Sequence, residues 1–254
     1  MFKDYSQDSF YAWFRLFITL IIGSSLNIGM WAIVIALPDI QSDLDYNRAE
    51  VSSLVAFTML GFALGNFLLG RLVDLYGISF TLILSALIAL GGFFVSSTTN
   101  SFAVLGVCHI MIGLGTAAGF GPLMSDISFW FSKNRGIAVS VAASGNYLSG
   151  IVWPFLIRIA VDDSGDWRSQ YVFFGIIAVG FTIPLALLLF RKIDQKFIER
   201  DRKQAQSNLS GKVISPKVLI SILLLASFSC CVAMSMPQIH IVALCVDLGF
   251  GPLV

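Results

Sequence analysis

The stretch Gly61-Phe62-Ala63-Leu64-Gly65-Asn66-Phe67-Leu68-Leu69-Gly70-Arg71-Leu72-Val73-Asp74-Leu75-Tyr76-Gly77 decides the fold. An apolar run with glycines at 61, 65 and 70 gives way to a short polar turn holding Arg71 and Asp74, and a second apolar run starts at once. In lipid no water drives apolar helix faces together, so glycines at this spacing mark a face where two helices approach closely. The charged pair falls where a helix leaves the hydrocarbon, and there Asp74 stays hydrated or paired instead of facing lipid.

The rest of the chain agrees. Of its 254 residues 57% are apolar and 12% charged, with a mean hydropathy of +0.85. A soluble domain cannot hide that much apolar surface, so the expected class is an all-α polytopic membrane protein embedded in a lipid bilayer. The net charge of +1 gives no footprint for nucleic acid. Cys108, Cys230, Cys231 and Cys245 all lie in apolar runs at no metal-like spacing and read as small core residues. The first apolar run is too long for a signal-peptide core and is read as a permanent span.

At about 20 apolar residues per crossing, seven spans are expected, at residues 14–37, 51–69, 80–95, 102–123, 137–157, 172–190 and 218–246. Pro237 should kink or interrupt the last of them. Lys3 and Arg15, placed before the first span, join Arg71, Lys133, Arg135 and eight basic residues between 191 and 217 on one side, thirteen in all. Only Arg48, Arg158 and Arg168 lie on the other, which is otherwise acidic. By the positive-inside rule the amino terminus is cytoplasmic.

Residues 191–216 form the one sizeable hydrophilic connection, a basic cytoplasmic linker. It divides a six-span bundle, residues 1–190, from residues 217–254, which hold the first helix of a second bundle. Two bundles joined by such a linker are the layout of a carrier. The chain is accordingly expected to be one half plus the first helix of a C-terminal bundle that is missing. Asp39-Ile40 and Asn47-Arg48 match Asp126-Ile127 and Asn134-Arg135 at one constant offset, as an internal three-helix repeat would produce.

No Asp, Glu, Lys or Arg lies in the middle of a span, which leaves few candidates for chemistry. His109 shares a helical face with Gly113 and Thr116. It is either a histidine bonded to a neighbouring helix or a cavity-facing proton or substrate group. Asn27 and Trp31 share a face with Ser24, and Asn146, Ser149, Gly150 and Trp153 do the same in the fifth span. An amide in lipid needs a partner, so these faces point to other helices or to a wet cavity with aromatic walls. Asn66 reads as helix glue, and Arg158 as a snorkelling or Asp162-paired residue. Glycines 113, 115, 119 and 121 mean close packing, not a phosphate cradle. Nothing supports a hydrolase triad, a metal site, a nucleotide site or a cofactor, and the chain is not read as an enzyme.

Spaced as Gly70-x-Leu72-x-Asp74-x-Tyr76-Gly77, the opening stretch resembles the cytoplasmic loop between helices 2 and 3 of the major facilitator superfamily. Trp130-Phe131-Ser132-Lys133-Asn134-Arg135-Gly136-Ile137-Ala138, followed by Ser144-Gly145, Gly150 and Pro154, resembles the loop and fifth helix of its monocarboxylate and oxalate/formate-type carriers. Asp166-Trp167-Arg168 with Tyr171 and Gly175 is similar to the start of their sixth helix, and Pro237-Gln238-Ile239-His240 with Asp247-Leu248-Gly249 to the end of their seventh. Leu75, Ile78 and Ser79 stand where the loop motif has basic residues, and the acidic-glycine start of the first helix is absent, leaving Gly29 and Trp31. His109 stands where proton-driven drug exporters tend to carry an Arg.

The resemblance implies a secondary carrier of a small organic anion, such as a monocarboxylate, in a bacterial-type inner membrane, with a proton as the candidate coupling ion. Asn27, Trp31, His109, Asn146 and Trp153 would line the cavity. Gly70, Leu72, Asp74, Gly77 and Arg135 would form the gating motif, with Asp74 and Arg135 latching the cytoplasmic side. A carrier of another solute (a sugar, drug or amino-acid derivative) differs only in cavity residues. A seven-span receptor needs the opposite orientation, and a retinal protein needs a mid-span lysine that the last span lacks.

Overall fold

A computed structural model describes residues 6–160, 166–191, 193, 196, 197, 199, 200, 203, 207 and 215–249. Eight helices occupy the first part of the chain: α1 (Phe10–Leu26), α2 (Ile28–Leu44), α3 (Arg48–Tyr76), α4 (Ile78–Thr98), α5 (Phe102–Thr116), α6 (Gly121–Trp130), α7 (Arg135–Ala160) and α8 (Trp167–Leu188). A further helix, α9, covers Pro216–Asp247. No strand occurs among the described residues.

The chain divides into two compact units, one within Met1–Lys192 and the other within Ile193–Pro252. Most of the expected linker, the acidic pair Asp162 and Asp163, and the side chain of Arg158 lie outside the described residues. In the second unit α9 runs unbroken through Pro237, so the expected interruption is absent.

Among the described residues six helical stretches are long and apolar enough to cross a membrane: Phe10–Leu44, Arg48–Tyr76, Ile78–Thr98, Phe102–Trp130, Trp167–Leu188 and Lys217–Ser235. With its 26 residues α7 is also long enough, but Ser140, Ser144, Asn146 and Ser149 dilute its apolar character. The first, second and fourth stretches run past their expected ends, because polar residues near the ends are paired within the helices or across the bundle. Arg15 is thereby moved: it lies in the second turn of α1 and is buried, not placed ahead of the span as a flanking charge.

In the first unit α3 packs on α5 and α1 on α7, while α4 packs on both α5 and α8. Span two against four and span five against one is the pairing expected of two related three-helix halves. The matched asparagines support it. Asn47 and Asn134 each stand one residue ahead of a helix and accept its first backbone bond, from Val51 at 3.2 Å and Ala138 at 2.9 Å. Asn47 also completes a capping box, its side chain accepting from the Glu50 N–H while the Glu50 carboxylate accepts from its own, both at 2.9 Å.

Both tight crossings rest on glycine. A Cβ at Gly61 would overlap the Ile110 carbonyl oxygen, and one at Gly113 the Thr58 carbonyl oxygen. Across the α1–α7 contact, a Cβ at Gly145 would lie 3.1 Å from the Leu20 carbonyl oxygen. Gly70 differs from expectation, since among the described residues no atom of another helix lies within 4 Å of where its Cβ would be. Gly77 joins α3 to α4 at φ 90° and ψ 168°, a conformation that only glycine adopts without strain.

Candidate functional site

Spans one and four are interrupted near their middles. Span one has a one-residue turn at Asn27, between α1 and α2, where φ and ψ of −69° and −4° keep the backbone right-handed. Span four breaks through a 3-10 turn at Ala117–Gly119 and at Phe120, whose φ and ψ of −122° and −87° are not helical; Pro122 then starts α6 with a preset φ. The two breaks meet. Asn27 Nδ2 donates to the Gly23 carbonyl at 2.7 Å and to the Gly119 carbonyl at 3.1 Å, so one amide satisfies backbone oxygen on both helices. Its Oδ1 is buried and has no partner among the described residues.

The expected cavity residues of the fifth span gather beside this junction. Trp31 Nε1 donates to the Asn146 backbone carbonyl at 2.9 Å, and Trp153 Nε1 to the Ser24 backbone carbonyl at 2.8 Å. The indoles thus cross in opposite directions between span one and α7. Gly150 leaves room for the Trp31 ring, to which a Cβ there would come within 2.8 Å. Asn146 Oδ1 and Ser149 Oγ, buried on the same helix, have no described partner. Four of the five residues expected to line a cavity are therefore brought together, with three unpaired polar atoms among them and their neighbour Ser149.

His109 is held elsewhere, between α3 and α8, and is 1% exposed. Its Nδ1 lies 3.0 Å from Thr58 Oγ1 and its Nε2 3.3 Å from the Tyr171 hydroxyl. Thr58 gives its one hydroxyl proton to the Leu54 carbonyl at 3.0 Å. Nδ1–H therefore donates to Thr58, and Nε2 accepts from Tyr171. Both nitrogens are engaged by neighbouring helices. Tyr171 sits in turn among Phe93, Trp167 and the His109 ring. The other members of the His109 face are packed as well: Gly113 lies on α3, and Thr116 donates to the Ile112 carbonyl at 2.8 Å.

Charged clamps close both ends of the bundle, and sequence reading paired the residues of neither. At the end that carries the amino terminus, Arg15 Nε and Nη2 donate to Asp126 Oδ2 at 3.0 and 2.7 Å. Its Nη1 donates to the Leu189 and Arg191 carbonyls, both at 3.2 Å, and the guanidinium lies over the Trp130 ring. The signal was present as an Arg early in an apolar run and an Asp late in another, but nothing in their spacing paired them. At the far end Arg168 and Trp167 both donate to Asp43, and Arg168 also donates to Asn100 Oδ1 at 2.6 Å. Asp166 caps α8 by accepting from the Arg168 N–H at 3.1 Å and the Ser169 hydroxyl at 2.6 Å. Asp166 lies just outside the span. Its pKa is below 3.8: the Ser169 hydroxyl bond lowers it most, and burial opposes the shift.

Asp74 is exposed on the last turn of α3, while Arg135 starts α7 and gives its Nε to the Phe131 carbonyl at 3.0 Å. No ion pair joins the two among the described residues.

Residues 19–254 match the sequence profile of the Major Facilitator Superfamily. The chain belongs to this superfamily. Within it, an MFS-type transporter of Aspergillus niger, pynF, is 27% identical over 146 residues, 57% of the chain and 32% of that protein. An agnestins efflux protein of Paecilomyces divaricatus is 24% identical over 163 residues, 63% of the chain and 37% of that protein. Monocarboxylate transporter 6 of Mus musculus is 27% identical over 186 residues, 71% of the chain and 39% of that protein. The chain thus spans between 32% and 39% of the length of these relatives. The superfamily and the long apolar helices together make it a multi-pass membrane protein.

Proposed function

We propose that the protein is a secondary carrier working by alternating access, with its solute held at the junction of spans one and four. One observation carries this reading: two interrupted helices meet at Asn27 and Gly119, with unpaired polar atoms on Asn27, Asn146 and Ser149 beside two tryptophans. Discontinuous helices near the middle of the membrane are where carriers build solute and ion sites, because unwound backbone and free amides can replace water around a polar solute. His109, engaged on both sides, serves packing in this reading and not the cavity. A proton remains the candidate coupling ion, and the amino terminus and residues 191–217 are placed on the cytoplasmic side of an inner membrane.

The solute is proposed to be a small organic anion such as a monocarboxylate. The relative named as a monocarboxylate transporter supports it, and the relative named as an efflux protein supports a second reading, export of a larger solute. Uptake into proteoliposomes by the carrier complete with its second bundle separates them. A short monocarboxylate should be taken up and its neutral amide should not. Equal handling of both, or movement only of lipophilic solutes, would overturn the anion reading.

The gating motif is proposed to act in a second conformation. Asp74 is exposed on the last turn of α3 and Arg135 starts α7, and the latch between them would form as the cytoplasmic side closes. An exposed pair contributes about 1 kcal/mol, which shifts a balanced equilibrium about fivefold. Asp74→Asn and Arg135→Gln should each slow uptake severalfold per molecule in the membrane while insertion is unchanged. Wild-type rates for both would make these residues ordinary interfacial charges.

A further inference from the structure

The first described residues do more than lead into α1. Asp8 stands at φ 57°, in the left-handed region that Asp enters more readily than most non-glycine residues. What holds it is the connection between α6 and α7. Asp8 Oδ2 accepts from the backbone N–H groups of Ser132 at 3.1 Å and Lys133 at 3.0 Å, and Oδ1 from that of Asn134 at 3.2 Å. Its own N–H donates to the Trp130 carbonyl at 3.0 Å, and Gln7 Nε2 donates to the Phe129 carbonyl at 3.0 Å. Burial disfavours the ionised carboxylate, but the three backbone N–H bonds outweigh it together with Lys133, and the pKa of Asp8 lies below 3.8.

The next residue faces the other way. Ser9 caps α1, its hydroxyl oxygen accepting from the Ala12 N–H at 3.3 Å. One side of the segment is therefore fixed to α1 and the other to the loop from which Arg135 and α7 emerge. The N–H groups of the loop precede α7, where a helix start leaves backbone donors without helical partners, and Asp8 accepts from three of them. Trp13, one turn into α1, adds an edge-on ring contact to Phe131.

We propose that residues 7–9 form a strap that binds the connection between spans four and five to the start of span one, so that the position of Arg135 and the first turn of α7 follows the amino-terminal segment. The strap holds Ser132, Lys133 and Asn134 in place while α1 and α7 stay in their present relation. A displacement of either helix has to break it or carry the loop along. The amino terminus then becomes a control on the end of the bundle where the gating residues lie. Its meaning for transport rests on the carrier reading above, whereas its hold on the loop does not.

Hydrogen exchange of the full chain in lipid nanodiscs, resolved at single amides, tests the hold. In Asp8→Ala the amides of Ser132, Lys133 and Asn134 should exchange at least about tenfold faster, as for a locally opened segment, while amides in the middle of α4 keep their rates. Asp8→Asn, which retains one acceptor oxygen, should give a smaller rise. Unchanged exchange at the three amides, or equal acceleration in α4, would overturn the strap. Solute uptake is measured on the same substitutions in the carrier complete with its second bundle. A freed loop with a wild-type uptake rate would overturn the link to gating. Failure of the unaltered protein to take up any solute would remove the carrier reading instead, leaving the exchange rates to judge the strap.

Discussion

Arg15→Met is expected to destabilise the first unit by about 3–5 kcal/mol, the range for removing one partner of a buried ion pair. Arg15 is 1% exposed and Asp126 18% at the side chain, so the surviving carboxylate would be left mostly shielded from water without a counter-charge. Two carbonyls, of Leu189 and Arg191, lose their donor in the same step. They lie just past the end of α8, where the helix dipole favours a cation, so the loss is electrostatic as well as local. At about 2–4 °C per kcal/mol for a domain of this size, the apparent melting midpoint in detergent should fall by roughly 10 °C. Asp126→Asn keeps an acceptor and should do less harm. Replacing both residues with apolar ones, Arg15→Met with Asp126→Leu, should recover much of the loss, because the desolvation penalty disappears with the pair. A shift below about 2 °C for Arg15→Met would show that the pair contributes little more than an exposed one.

Gly113→Leu is expected to abolish the folded bundle. A Cβ at Gly113 would overlap the Thr58 carbonyl oxygen and approach the Phe62 amide nitrogen at 2.8 Å, and both are backbone atoms that cannot rotate away. Helices α3 and α5 would have to separate, giving up the contact on which His109, Thr58 and Gly61 depend. Ordinary overpacking costs about 1–3 kcal/mol because side chains adjust; a clash with backbone at the closest point of a crossing has no such relief. Gly113→Ala should already lower the yield of monodisperse protein in size-exclusion chromatography. Gly70→Leu is the control. Its Cβ position is open, so the variant should fold and elute normally. A normal profile for Gly113→Leu would mean that α3 and α5 do not pack as described.

The contrast between these glycines shows what the sequence could and could not disclose. Composition and span length reveal an all-α membrane protein, since about 20 apolar residues have few other uses. Small residues at helical spacing identify crossing faces, and Gly61 and Gly65 serve that purpose. Gly70 carries the same letter and touches nothing, because spacing does not say where a neighbouring helix ends. The helix starts at Asn47 and Asn134 were legible because residues of this type favour the position ahead of a helix. The breaks at Asn27 and at Ala117–Phe120 were not, since nothing in an apolar run with Asn and Gly distinguishes a bent helix from a straight one. Trp31, Asn146 and Trp153 were found through helical faces. Their reciprocal bonds to backbone carbonyls depend on which helices become neighbours. The long-range partners of Arg15, Asp8 and His109 were hidden for the same reason. Each pairs with a group far along the chain, and only the fold brings them together.

The proposed solute site lies at the junction of spans one and four, in a carrier that exposes it to one side at a time. Entrance counterflow in proteoliposomes tests that claim most directly. Vesicles loaded with unlabelled short monocarboxylate and diluted into labelled solute should accumulate label transiently above its external concentration, which a channel cannot do. Asn27→Ala, removing the amide that bridges the two breaks, should lower the peak severalfold while the protein remains folded by size-exclusion chromatography. Label that only equilibrates, or a peak of wild-type height in folded Asn27→Ala, would contradict the account.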